Sequence, residues 1–268
     1  MDTAQKSCYT YRKRIPFEEL TLADDFLFCK VMQNEKLCKE LLEIILHVKI
    51  KRIVYTDTQK VLDNTIDEKS VRMDVYVQDD KHTVYDIEMQ TSDTKELPKR
   101  SRYYHSCIDK SQISKGEKYN ALRKTYVIFI CTFDLFGKNF AKYEFDTICK
   151  QDNSLILADD RHTIFVNAEG VTNDQKLKDF LHYLKTGEIT KSPFILDLSR
   201  EVRLASRNSK WKEEYDMLLA YDERKQKEGQ EQIILRALQK HSPEVVAEFL
   251  DIPLEDIEEV QKKAKLTE

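Results

Sequence analysis

Glycine is scarce in this chain. Five glycines stand among 268 residues, each isolated (Gly116, Gly137, Gly170, Gly187, Gly229), so neither GxxxxGK nor GxGxxG can be written anywhere. Nucleotide-binding folds that cradle phosphate on a glycine-rich loop are thereby excluded. The six cysteines (Cys8, Cys29, Cys38, Cys107, Cys131, Cys149) form no CxxC and no Cys/His pair at zinc spacing, which argues for reduced, packed thiols and against structural zinc. No stretch approaches the roughly eighteen apolar residues of a membrane span. The opening "MDTAQKSCYTYRKRIPFEEL" has no apolar core of a signal peptide, so neither export nor insertion is indicated and a cytoplasmic location is expected. An excess of positive charge is also missing. The formal net charge is −4, so any nucleic-acid binding must come from a local patch.

What is present is 41% hydrophobic and 34% charged, enough for one large domain with appendages. "TLADDFLFCKVMQNEKLCKELLEIILHV" (21–48) opens on a Thr21 cap. Its apolar residues, Leu22, Phe26, Cys29, Val31 and Met32, then Leu37, Leu41, Leu42, Ile45 and Leu46, predict two helices broken near Asn34. "KRIVYTDTQKVL" (51–62) reads as a strand, 63–70 as a polar loop, and "VRMDVYVQDDKHTVYDIEMQ" (71–90) as a hairpin. A helix follows from about Pro98, with Gly116 as its stop. "TYVIFICTFD" (125–134) is apolar on both faces, as in a strand covered by helices on each side. "RHTIFVNA" (161–168) predicts another strand, and "NDQKLKDFLHYLKTGE" a helix ending at Gly187.

The sequence divides into a compact domain over 1–190, a long helical connector over 191–240, and a short helix-turn-helix-like module over 241–268. The charge run at 222–232 reads as a solvated helix face. The last module has a Ser242 cap and a break at "DIP". Its second helix carries Glu255, Asp256, Glu258 and Glu259 where a DNA reader would be basic, so it reads as a packing or self-association element.

The hairpin carries the chemistry. Side chains alternate along a strand, so Val71, Met73, Val75 and Val77 share one face, and Arg72, Asp74, Tyr76 and Gln78 the other. On the returning strand Val84, Asp86, Glu88 and Gln90 share a face. A four-residue turn over 79–82 would oppose Asp74 to Ile87, whereas a five-residue connection over 79–83 opposes it to Glu88. Directly opposed residues have Cβ atoms roughly 4.5–5.5 Å apart. Two ionised carboxylates at that distance repel unless a cation lies between them, and oxygen donors suit Mg²⁺. This points to a divalent-metal site at Asp74 and Glu88. Solvent-facing acids on a one-sided hairpin would produce the same pattern, and Asp86 reads as exposed or as a neighbour of the ligands.

"MDVYV", a turn, "DIEMQ", the basic-aromatic "LPKRSRYYHS" and the buried "TYVIFICTFD", in that order, resemble the PD-(D/E)xK nuclease superfamily, in its recombination-promoting nuclease and transposase-related branch. "LADDFLFCKVM" is similar to that branch's opening helix, and the resemblance covers roughly 20–190. It implies an α/β, restriction-endonuclease-like core with a mixed four-stranded sheet flanked by helices, followed here by a C-terminal helical extension. Asp74 and Glu88 would be metal ligands on the second and third strands, joined by the Met89 carbonyl. The family's lysine corresponds to Gln90, which can orient water or phosphate but cannot act as a base.

On the next helix Lys99, Arg100, Tyr103, Tyr104 and Cys107 are spaced by threes and fours. Arg100 is expected to bind phosphate and Tyr104 to donate a hydrogen bond or stack on a base, with Lys99 and Arg102, and the arm Arg12, Lys13 and Arg14, completing a basic patch. Both tyrosines read equally well as core residues. Asp25 could approach the metal or simply be a first-turn acid. The expected function is a Mg²⁺-dependent DNA endonuclease, with Mn²⁺ an alternative ion and homo-oligomer assembly through the C-terminal helices as an accessory property. The competing expectation is a catalytically decayed scaffold that binds nucleic acid or protein.

Overall fold

The computed structural model describes residues 15–62 and 71–265. The arm at Arg12, Lys13 and Arg14 and the loop at 63–70 lie outside the described residues. Two compact units emerge, one over residues 16–208 and one containing residues 209–265.

In the first unit Asp24, not Thr21, caps α1 (Asp25–Met32). Its carboxylate accepts from the Phe26 and Leu27 amides, while Thr21 accepts from Ala23 in the preceding turn. Asn34 then caps α2 (Glu35–Leu46) by accepting from the Leu37 amide, so the break falls where the sequence placed it. The strands are β1 (Ile53–Leu62), β2 (Val71–Asp79), β3 (Val84–Gln90), β4 (Thr125–Cys131), β5 (Lys142–Phe145) and β6 (Arg161–Asn167). Helix α3 (Leu97–Gln112) sits between β3 and β4 with Pro98 in its first turn, and ends before Gly116, which occupies a later turn at φ 94°.

The sheet has six strands in the order β1-β2-β3-β4-β6-β5, not four. β1–β3 are antiparallel neighbours, β3, β4 and β6 run parallel, and β5 returns antiparallel on the edge. Widening occurs because β6 buries Ile164, Phe165 and Val166, and its outer edge is then closed by β5. At four residues with one buried side chain, Tyr143, β5 is too short to leave a periodic signature in the sequence.

Gln78 pairs with Val84, leaving residues 79–83 as the connection. Asp79 organises it: Oδ1 accepts from the Lys81 and Thr83 amides, and Oδ2 from the Tyr85 hydroxyl at 2.8 Å. His82 takes the left-handed conformation, φ 66°, that the tight return requires.

One face of the sheet is covered by α3. Leu97, Tyr104, Cys107 and Ile108 pack there on Tyr76, Val84, Val127, Phe129 and Phe165. Met73 is buried in the same cluster, and the register of β2 against β1 runs regularly through it. α1 and α2 pack on the β1–β3 side, and α4 (Gln175–Thr186) and α5 (Pro193–Ala205) pack on them. Gly187 closes α4 at φ 73°, its amide donating to the Tyr183 carbonyl. Because α5 carries Phe194, Ile195 and Leu198 into the interior, this unit runs to Asn208 instead of closing near 190.

The second unit contains α6 (Ser209–Leu238), α7 (Pro243–Leu250) and α8 (Leu254–Lys265). Ile234, Val246 and Ile257, one from each helix, form its core. The expected connector is therefore split: α5 belongs to the sheet unit and α6 to the helical one.

Candidate active site

β2 and β3 bring the predicted acids together. The register Val75–Ile87, Tyr76–Asp86, Val77–Tyr85 and Gln78–Val84, continued by one step, opposes Asp74 to Glu88. Their carboxylates do not project into solvent. Glu88 Oε1 accepts from the Asp74 main-chain amide at 2.9 Å, and Asp74 Oδ2 accepts from the Met89 amide at 3.0 Å. Cys29 of α1 donates its thiol to the Asp74 carbonyl at 3.2 Å. Cys29 was not anticipated; its position four residues after Asp25, on one helix face, was the available signal.

Glu88 is 1% exposed and Asp86 0% exposed, so the acid face is interior and the solvent-facing alternative fails. Asp86 is not an exposed neighbour. Opposite Tyr76 and beneath α3, neither of its carboxylate oxygens has a hydrogen-bond partner. Burial, reinforced by the Asp74 charge, raises its pKa well above the ordinary aspartate value. Asp74 is raised in the same way, by burial first and then by Glu88 and Asp25. Glu88 is pushed up to about 8, by burial first and then by Asp86.

The cation beside these acids is Arg100. Its Nη2 donates to Glu88 Oε2 at 3.1 Å and to the Tyr104 hydroxyl at 2.7 Å, and its Nη1 donates to Gln90 Oε1 at 3.0 Å. The Tyr104 hydroxyl also reaches Glu88 Oε2, at 3.4 Å. Arg100 and Gln90 thus act as a pair, the guanidinium bringing the positive charge that the glutamine lacks. The guanidinium lies 5.3 Å from the Tyr104 ring centroid and 5.8 Å from that of Phe129.

The remaining predicted residues divide. Tyr104 is 7% exposed and packed against Phe129, so it offers no ring face to a base and only its hydroxyl serves the site. Lys99 and Arg102 are exposed on α3. Half-buried Asp25 accepts from the Phe26 amide, and its charge is felt at Asp74 and Cys29.

The donor chemistry fits a hard divalent ion. Two buried carboxyls, Asp86 and Glu88, and the half-buried Asp74 lie near one guanidinium, and neither oxygen of Asp86 has a hydrogen-bond partner. Among the described residues no three His, Cys, Asp or Glu side chains form a metal cluster by themselves. Asp74 and Glu88 would therefore need main-chain or solvent oxygens to complete the set, and Met89, next to Glu88 in β3, is the adjacent main-chain donor.

Paired acids on neighbouring strands of a helix-flanked mixed sheet are the arrangement of a nuclease fold. The chain belongs to the PD-(D/E)XK nuclease family transposases, whose family model matches residues 23–230. It is thus a nuclease-fold protein related to transposases. Neither the curated proteins nor the solved structures yielded a match. No described helix is long and apolar enough to cross a membrane.

Proposed function

We propose that this protein is a divalent-metal-dependent endonuclease that hydrolyses phosphodiester bonds in DNA, with Mg²⁺ as the ion and Mn²⁺ an acceptable substitute. The observation that carries the reading is the mutually braced pair of half-buried Asp74 and buried Glu88, with Arg100 and Gln90 hydrogen-bonded beside it.

Asp74 and Glu88, with the Met89 carbonyl, would hold the ion. When bound, the ion supplies Lewis-acid polarisation of the phosphodiester and favours ionisation of the attacking water. Arg100 stabilises negative charge developing on the phosphate oxygens. Gln90 orients the guanidinium and, having no basic nitrogen, does not take the proton. Lys99 and Arg102 meet neighbouring phosphates and position the duplex. Asp74→Ala should abolish Mg²⁺-dependent nicking of supercoiled plasmid while the chain stays folded. Undiminished nicking by a folded Asp74→Ala protein would remove this site from consideration.

A second reading, favoured by Gln90 in the lysine position, keeps the fold as a binding scaffold without hydrolysis. Calorimetric Mn²⁺ binding that disappears in Glu88→Ala supports the enzyme, and absence of binding in the unaltered protein supports the scaffold. We propose assembly through α6–α8 as a separate property of either reading, to be tested by sedimentation.

A further inference from the structure

We propose that Arg100 couples ion binding to nucleic-acid binding: without a divalent ion it is held on Glu88, and an ion at Asp74 and Glu88 releases it to a substrate phosphate. This rests on the metal-site reading above and names how that site is regulated.

The first ground is the commitment of donors. A phosphate is gripped well by two parallel N–H groups of a guanidinium. Both terminal nitrogens of Arg100 point inward, Nη1 to Gln90 and Nη2 to Glu88 and Tyr104. The side chain is 31% exposed, so it lies at the surface of the site while its terminal donors are engaged within it. Gripping a phosphate with both terminal nitrogens requires leaving Glu88.

The second ground is charge. Glu88 is 2% exposed in its side chain, and neither carboxylate oxygen of Asp86 beside it has a hydrogen-bond partner. When Glu88 is ionised, withdrawing the guanidinium strips it of its only ion pair among the described residues, and breaking a buried pair from one side is strongly unfavourable. A divalent ion between Asp74 and Glu88 restores the compensation. Ion entry and Arg100 departure are therefore mutually favourable, and a phosphate that draws Arg100 outward must raise ion affinity by the same factor. The rings of Tyr104 and Phe129 lie close to the guanidinium and give the side chain a surface along which to swing.

The test uses the full chain. Mn²⁺ binding is measured calorimetrically without DNA for the unaltered protein, Arg100→Gln, Tyr104→Phe and Asp74→Ala. Duplex-DNA affinity is measured by fluorescence anisotropy with and without Ca²⁺. Relieved of its competitor, Arg100→Gln should bind Mn²⁺ more tightly, on the order of tenfold, and Ca²⁺ should strengthen its DNA binding less than it does for the unaltered protein. Tyr104→Phe, which removes one anchor of Nη2, should shift Mn²⁺ affinity in the same direction by less, and serves if Arg100→Gln does not fold. Unchanged or weaker Mn²⁺ binding in these variants, with binding still lost in Asp74→Ala, overturns the coupling alone. Equal Mn²⁺ binding by Asp74→Ala and the unaltered protein overturns the metal-site reading and the coupling with it.

Discussion

Asp74 and Glu88 brace each other across adjacent strands: the Asp74 amide donates to the Glu88 carboxylate, and the Asp74 carboxylate accepts from the amide that follows Glu88. The paired register with β3 is recorded as far as Val75–Ile87, and at the next step side-chain oxygens act as acceptors for main-chain amides. Each acid is thereby fixed in position by the other's backbone. Such preorganisation is what a two-carboxylate ion site needs, because a flexible pair would lose conformational entropy on every binding event.

The ion-free protein should lose stability as pH rises. Glu88 titrates near 8 in the folded chain against an ordinary value of 4.5, so between these values the folded state holds more protons than the unfolded state. Stability then falls with increasing pH across that window, and Asp74 and Asp86, also raised, add to the slope. Urea midpoints in chelator should decline from pH 5 to pH 8, and Glu88→Gln should flatten the decline. A midpoint that rises over this range would contradict the burial of these acids in their protonated, neutral form.

Asp86→Leu should stabilise the ion-free chain. The aspartate occupies an interior position beside Tyr76 and Val127 with no hydrogen bond, so an apolar side chain of similar size removes a desolvated polar group at little steric cost. A gain of about 1–3 kcal/mol at pH 8 is expected, shrinking at pH 5 where a neutral carboxyl is easier to bury. Chemical denaturation at both pH values reads the difference.

Lys99→Ala and Arg102→Ala should weaken DNA binding without altering Mn²⁺ affinity. Both side chains are exposed on α3, whereas Arg100 on the same helix faces Glu88. Each loss should lower the slope of log affinity against log salt by about one. Anisotropy titrations over a salt series separate these surface contacts from effects on the acids.

Ile257→Ala should unfold the helical unit locally. Its core is small, with Ile234, Val246 and Ile257 buried together, and deleting a buried isoleucine side chain costs about 2–5 kcal/mol. Hydrogen exchange should accelerate over α7 and α8 while β4 keeps its protection. Equal acceleration in β4 would show that the two units unfold as one.

The local features were legible because their causes are local. Pleat alternation and the five residues from 79 to 83 suffice to oppose Asp74 to Glu88, and Asn34 and Gly187 mark helix ends through capping and left-handed conformation. Thr21 and Asp24 both carry cap-forming side chains three residues apart, and in the structure Asp24 takes the helix while Thr21 serves the turn before it. The edge strand β5 escaped notice because it is specified by the free edge of β6, twenty residues away, more than by its own four residues.

The sequence by itself determined the order of elements apart from β5, the two registers that could pair Asp74, and the absence of a lysine at Gln90, since each depends on residue type and spacing along one stretch of chain. Only the tertiary structure decided that α3 seals the acid face, burying Asp86 without a partner and placing Arg100 on Glu88. The reason is that burial and ion pairing depend on which helix lands on which face of the sheet. That landing is settled by the joint packing of Leu97, Tyr104 and Ile108 against strands far apart in sequence, and no local pattern encodes it.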